Sequence, residues 1–76
     1  MSKVVTNIND VRIGRIIRLE REARELTQID VAKALGIDQS TYAQYELGKR
    51  PVPANRVSDI ADAFGIATRY INPKAA

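Results

Sequence analysis

Between Leu35 and Gln39 the chain has three residues, Gly36, Ile37 and Asp38, in which to end one helix and begin another. Glycine takes the left-handed conformation that closes a helix without a Cβ penalty, and aspartate is among the favoured N-caps. Upstream, Thr27 can cap the first of these helices, with Asp30 three residues on in capping-box spacing. Val31, Ala32 and Leu35 form its apolar stripe. The second helix is expected from Gln39 to just before Gly48. Two short helices joined this tightly leave few folds open.

Around this pair the chain reads as helix throughout. Asp10 is placed as the cap of a first helix running to about Arg24, with Ile13, Ile16, Ile17, Leu19 and Ala23 inward and Arg15 and Arg18 outward. After Lys49, Arg50, Pro51, Val52 and Pro53, a further helix is expected from Ala54 to Phe64. Val57, Ile60, Ala61 and Phe64 face inward, and Gly65 stops it. Ala67–Ile71 could add a short fifth helix before Pro73. No stretch alternates as a strand would. The expected fold is all-α, a compact bundle of four to five short helices with a central helix-turn-helix. Residues 1–9 are expected as a flexible arm, 10–66 as the domain, and 67–76 as a C-terminal short helix and tail.

The second helix of a helix-turn-helix is the one able to enter a DNA major groove, provided the first holds it at a fixed angle. Ala32 is small enough for a close crossing, and Ile37 can fill the space behind the turn. At about 100° per residue, Gln39, Ser40, Ala43, Gln44 and Leu47 share one face, within roughly 140°. Tyr42 and Tyr45 point the other way, toward a core. The outer face therefore carries two amides and a hydroxyl. A glutamine can offer a donor and an acceptor together to adenine N7 and N6.

The residues from Ile13 to Ile66 resemble the Cro/C1-type (XRE-like) helix-turn-helix family, which includes the lambdoid phage repressors. The matching stretches are I-G-R-I-I-R at 13–18, Arg21, L-T-Q at 26–28, V-A-K-A-L-G-I at 31–37, Y-A-Q-Y-E-L-G-K-R-P-V-P at 42–53 and I-A-D-A-F-G-I at 60–66. The resemblance implies a lambda-repressor-like DNA-binding domain. It implies that Gln39, Ser40 and Gln44 read bases, and that Gln28, Thr41, Lys49 and Arg50 meet phosphate. It pairs Arg21 with Glu46 as a structural ion pair. Two positions depart from the family pattern. Glu25 stands where glycine usually ends the first helix, so that turn is expected to be built differently or to carry strain. Ile29 puts an apolar side chain near the DNA backbone or a partner surface.

Composition narrows the function classes. With no cysteine and no histidine among 76 residues, disulfides, thiolate metal sites and histidine catalysis are excluded. No acidic side chain sits beside a nucleophile or a phosphate-binding glycine loop, so no enzyme, metal or cofactor is expected. No run of about 18 apolar residues could span a membrane, and the first ten residues do not read as a signal peptide. A cytoplasmic location, bacterial or phage-encoded, is expected. The net charge of +3 is too small to identify a nucleic-acid partner by itself. Arg12, Arg15 and Arg18 alternate with Glu20, Glu22 and Glu25 and read first as a solvated face.

One recognition helix touches few base pairs, so a homodimer on a palindromic operator is expected, acting as a repressor. Ile66, Tyr70 and Ile71, apolar residues beyond Gly65, are the expected dimer interface. The alternative reading is a protein-interaction module, such as an antitoxin that masks a toxin and autoregulates its operon.

Overall fold

A computed structural model describes residues 7–73. Its elements are α1 (Ile8–Ala23), α2 (Gln28–Leu35), α3 (Gln39–Leu47), α4 (Ala54–Phe64) and a 3₁₀ turn at Thr68–Tyr70. Among the described residues there is no strand. Residues 1–6 of the expected arm and 74–76 of the expected tail lie outside the described residues.

Local chemistry sets the helix ends. The Thr27 hydroxyl accepts from the Asp30 N–H at 3.0 Å, and Asp30 accepts from the Thr27 N–H at 2.9 Å, so the capping box is complete. The Thr27 backbone N–H first, and then its hydroxyl, hold the Asp30 carboxyl below the usual carboxylate range. Gly36 closes α2 at φ 72°. α1 starts earlier than expected, because Asn7 rather than Asp10 caps it, its side chain accepting from the Asn9 N–H at 2.7 Å. Asp10 lies in the first turn instead, where a negative charge suits the helix dipole.

The inward face of α1 also differs from expectation. Ile13 and Ile17 are buried, but Leu19 is 53% exposed and Ala23 is exposed. Leu19 lies about 160° around the helix from Ile17. Arg24 occupies that inner side: its guanidinium stacks 5.1 Å from the Phe64 ring centre and donates to the carbonyls of Phe64 and Glu20.

α3 packs against both α1 and α2, α4 packs against α2 and α1, and the 3₁₀ turn returns onto α4. Ile13, Ile17, Val31, Ala32, Tyr42, Tyr45, Val57, Ile60, Ala61, Phe64 and Ile71 make one core. Ile71 corrects the expected dimer surface. It is fully buried against its own chain, because the 3₁₀ turn folds it under α4, and so it cannot face a partner. Ile66 is half-buried on the same core, while Tyr70 is 61% exposed beneath the Arg69 guanidinium.

The α1–α2 turn carries strain. Glu25 has φ 57°, the only positive φ outside glycine among the described residues. A side chain there costs about 1–2 kcal/mol. The side chain is exposed, so its removal forfeits no packing. Glu25→Gly should therefore raise stability by about 1 kcal/mol, or about 4–8 °C in melting temperature for a domain of this size. Thermal unfolding followed by circular dichroism checks this, and an unchanged or lower midpoint would show the turn to be unstrained.

Candidate nucleic-acid interface

α3 presents Gln39, Ser40 and Leu47 to solvent and Gln44 at half exposure, while Tyr42 and Tyr45 anchor its other side in the core. Lys49 and Arg50 follow on the exposed loop beyond Gly48, and Gln28 and Ile29 open α2 alongside. The structure thus brings the expected base-reading residues and the expected phosphate-contacting residues Gln28, Lys49 and Arg50 onto neighbouring surface.

Beneath this surface lies a polar relay. Arg21 Nε donates to Glu46 Oε2 at 2.6 Å, and Nη2 donates to Oε1 at 3.1 Å, a two-pronged pair. Arg21 Nη1 also donates to the Leu26 carbonyl at 2.9 Å, which fixes the α1–α2 turn. The two side chains are 12% and 2% exposed. Gln28 Nε2 donates to Glu46 Oε1 at 3.0 Å, and Gln28 Oε1 accepts from Gln39 Nε2 at 2.8 Å. A chain of contacts therefore runs from the framework to the first residue of α3. Burial alone would raise the Glu46 carboxyl. Arg21, the adjacent Tyr42 hydroxyl and Gln28 together outweigh it, and the carboxyl lies below the usual glutamate range.

The Tyr42 hydroxyl is buried beside Glu46 without a well-formed hydrogen bond. Burial, then the neighbouring carboxylate, pushes its phenol well above the usual tyrosine range, so it stays neutral.

Other residues are placed differently from expectation. Ser40 Oγ donates to Asp38 Oδ2 at 2.8 Å. The Thr41 hydroxyl, and then that of Ser40, hold the Asp38 carboxyl below the usual carboxylate range. Asp38 stands at the N-cap position but takes these hydroxyls instead of a backbone N–H of α3. Arg50, expected at phosphate, turns onto α3: its Nε donates to Gln44 Oε1 at 3.0 Å. Arg15 and Arg18 are exposed, as a solvated face would have them, and line a shallow groove with Val11, Glu46 and Leu47 between α1 and the end of α3. Ile29 is 54% exposed beside Gln28.

Among the described residues, no cluster of three or more acidic side chains could hold a metal ion. Nor is any helix there long and apolar enough to cross a membrane. A helix-turn-helix family model matches residues 17–71, which include the whole α2–turn–α3 unit and the relay. The chain belongs to the XRE-type helix-turn-helix family of DNA-binding transcriptional regulators.

The family's members bracket it in length. The chain is 38% identical over 60 residues to the transcriptional regulator YazB of Bacillus subtilis, covering 79% of this chain and 87% of that one. It is 31% identical over 64 residues to the regulator y4aM of Sinorhizobium fredii, covering 84% of this chain and 45% of that one. Against y4aM, and against a Rhodospirillum rubrum regulator of which 56% is matched, the chain spans about half of the relative's length. Among solved structures, it is similar to the restriction-modification controller protein C.AhdI of Aeromonas hydrophila. That match has a TM-score of 0.81 at 29% identity over 86% of this chain and 98% of that one. The clp gene regulator ClgR of C. glutamicum shares the fold, with a TM-score of 0.82 at 17% identity over 91% and 90% of the two chains.

Proposed function

We propose that this chain is a dimeric repressor that reads a palindromic operator by inserting α3 into the major groove. The observation that carries the reading is the buttressed position of Gln39. One of its amide N–H groups is spent on Gln28, which is itself held by Glu46. Its carbonyl and second N–H are left for a base: adenine N6–H₂ donates to the first, and adenine N7 accepts from the second. Side chains fixed by a second layer of hydrogen bonds lose little freedom on binding.

Ser40 lies next to Gln39 at the exposed start of α3 and joins the base-reading face. Phosphate contact falls to the second N–H of Gln28 and to Lys49, and to Thr41 when its hydroxyl turns from Asp38 to the DNA. Two copies related by a two-fold axis would place their recognition helices one DNA turn apart, about 10 base pairs. Tyr70 and Ile66 supply the outward apolar surface for that pairing, and Ile71 backs them from the core. A dimer seated on an operator that overlaps a promoter excludes polymerase, which is repression without any further activity.

Selection from a randomised duplex pool, read at several salt concentrations, tests the reading. An inverted repeat should be enriched. Gln39→Ala should lose about 1–3 kcal/mol of discrimination at one position per half-site. Lys49→Ala should weaken all sequences alike and flatten the slope of log affinity against log salt by about 1. Tyr70→Asp should shift the sedimenting species from dimer to monomer. A pool with no enriched sequence would end the DNA-reading proposal, and a Tyr70→Asp dimer would move the interface elsewhere.

A further inference from the structure

The two glutamines on the reading face of α3 are held in opposite ways. Gln39 gives away a donor to Gln28 and keeps its carbonyl. Gln44 keeps its amide N–H₂ and has its carbonyl engaged by Arg50, which reaches back from the loop across six residues. We infer that Gln44 and Arg50 act as one specificity unit that selects guanine, so that Arg50 is a base-selecting residue and not merely a phosphate contact.

The inference rests on the DNA-reading proposal and follows from a count of donors. An arginine guanidinium has five N–H donors and no acceptor. With Arg50 Nε committed to Gln44 Oε1, the pair turns outward the Gln44 N–H₂ and the two terminal nitrogens of Arg50. All of these donate. In the major groove guanine offers two acceptors, N7 and O6, on one edge. Adenine offers one acceptor and one amino donor, and that donor would meet the guanidinium's own N–H groups. Cytosine presents an amino donor there, and thymine a single carbonyl beside its methyl group. Guanine alone matches a surface made only of donors.

The arrangement also separates the two loop cations. Lys49 is exposed, with its ammonium free to follow the DNA backbone, whereas Arg50 is aimed at the helix that reads bases. A bidentate guanidinium geometry suits a base edge better than a point charge does. Lysine at position 50 could keep the positive charge, but could not both hold the Gln44 carbonyl and present two further planar donors.

The test uses the full chain and a randomised duplex pool, with the wild type, Gln44→Ala, Arg50→Ala and Arg50→Lys selected in parallel. The wild type should enrich guanine at one position of each half-site, and Gln44→Ala should weaken preference at that position. Arg50→Ala frees the Gln44 carbonyl, so the preferred base there should change from guanine to adenine. Arg50→Lys should lose the guanine preference although it keeps the charge. On the selected duplex, replacing that guanine by 7-deazaguanine should weaken wild-type binding about tenfold and Arg50→Ala binding hardly at all. The inference is overturned if the wild type enriches adenine at the position sensitive to Gln44. It is overturned equally if Arg50→Ala weakens every sequence alike and leaves the preferred base unchanged, which would leave DNA reading intact and return Arg50 to a phosphate role. A wild type that enriches no duplex sinks both readings together.

Discussion

Glu46→Ala should unfold this protein at a far lower temperature than the wild type, with no DNA present. The Glu46 side chain is 2% exposed, and its two oxygens take three hydrogen bonds, two from Arg21 and one from Gln28. Removing the carboxylate leaves the Arg21 side chain, 12% exposed, with only a long 3.9 Å contact to the solvated Glu22 carboxylate. A charge stranded in this way costs about 3–5 kcal/mol. A domain of 76 residues has only about 4–11 kcal/mol in total, at about 0.05–0.15 kcal/mol per residue. At about 4–8 °C per kcal/mol, the melting temperature should fall by at least about 12 °C. Replacing both partners by apolar residues, as in Arg21→Met with Glu46→Leu, should restore most of the loss, because the cost lies in the unpaired charge. Tyr42→Phe is the control. Its hydroxyl lies beside the carboxylate without a well-formed hydrogen bond, so its loss should cost about 1 kcal/mol at most, far less than the loss of the charge. Should Glu46→Ala melt with the wild type, the pair contributes nothing to the fold.

The same carboxylate sets a pH dependence. Its folded pKa lies below that of the unfolded chain. Its stabilisation is therefore complete above the ordinary glutamate value of about 4.3 and is lost as pH falls below that toward the folded pKa. Asp30 and Asp38 are lowered as well and act in the same direction. The melting temperature of the wild type should drop steeply below about pH 4.3, and that of Glu46→Gln should drop less steeply.

Much of the fold is legible in the sequence where short-range chemistry decides it. Thr27 with Asp30, Gly36, Gly48 and Gly65 mark helix ends through contacts within a few residues, and the bounds of α2, α3 and α4 follow from them. The start of α1 is less legible, because Asn7 and Asp10 are equally good caps and Ile8, 67% exposed, adds nothing to the apolar stripe. Leu19 and Ile71 show the limit of counting apolar residues. One stands about 160° around α1 from Ile17 and stays outside, and the other is drawn inside by a turn whose direction no periodicity encodes.

The candidate site divides in the same way. The amide face of α3 follows from helical geometry alone. The Arg21–Glu46 pair was suggested only by family resemblance, since its partners lie 25 residues apart. The links from Gln39 to Gln28 and from Gln28 to Glu46 span 11 and 18 residues. They depend on the angle at which α2 meets α3, and a sequence states that angle only through the tightness of the turn. Arg50 is nearer, six residues from Gln44, yet a loop side chain can point to many places until its backbone is fixed.

That angle depends in turn on how closely α1 approaches α3, and a substitution at Gly14 tests the approach directly. A Cβ built on Gly14 would collide with the Tyr45 carbonyl oxygen and lie 2.5 Å from that of Glu46. Both neighbours are backbone, so neither can rotate away. On helix propensity alone, Gly14→Ala should be favourable by about 1 kcal/mol, since glycine is the poorer residue inside a helix. The collision should reverse that sign. Overpacking of this kind costs typically about 1–3 kcal/mol, and more where backbone must move. Gly36→Ala supplies the contrast: a Cβ there meets nothing within 4 Å and carries only the strain of its φ of 72°. Gly14→Ala should also act beyond stability, because the atoms that must shift belong to Tyr45 and to Glu46, the centre of the relay that holds Gln28 and Gln39. At a temperature where the variant is still folded, its affinity for a duplex bound by the wild type should fall at least tenfold, while Gly36→Ala at equal folded fraction should bind nearly as the wild type does. Calorimetry and fluorescence anisotropy on the three proteins decide the matter. A Gly14→Ala protein as stable as the wild type would mean that α1 and α3 do not meet as closely as these contacts require.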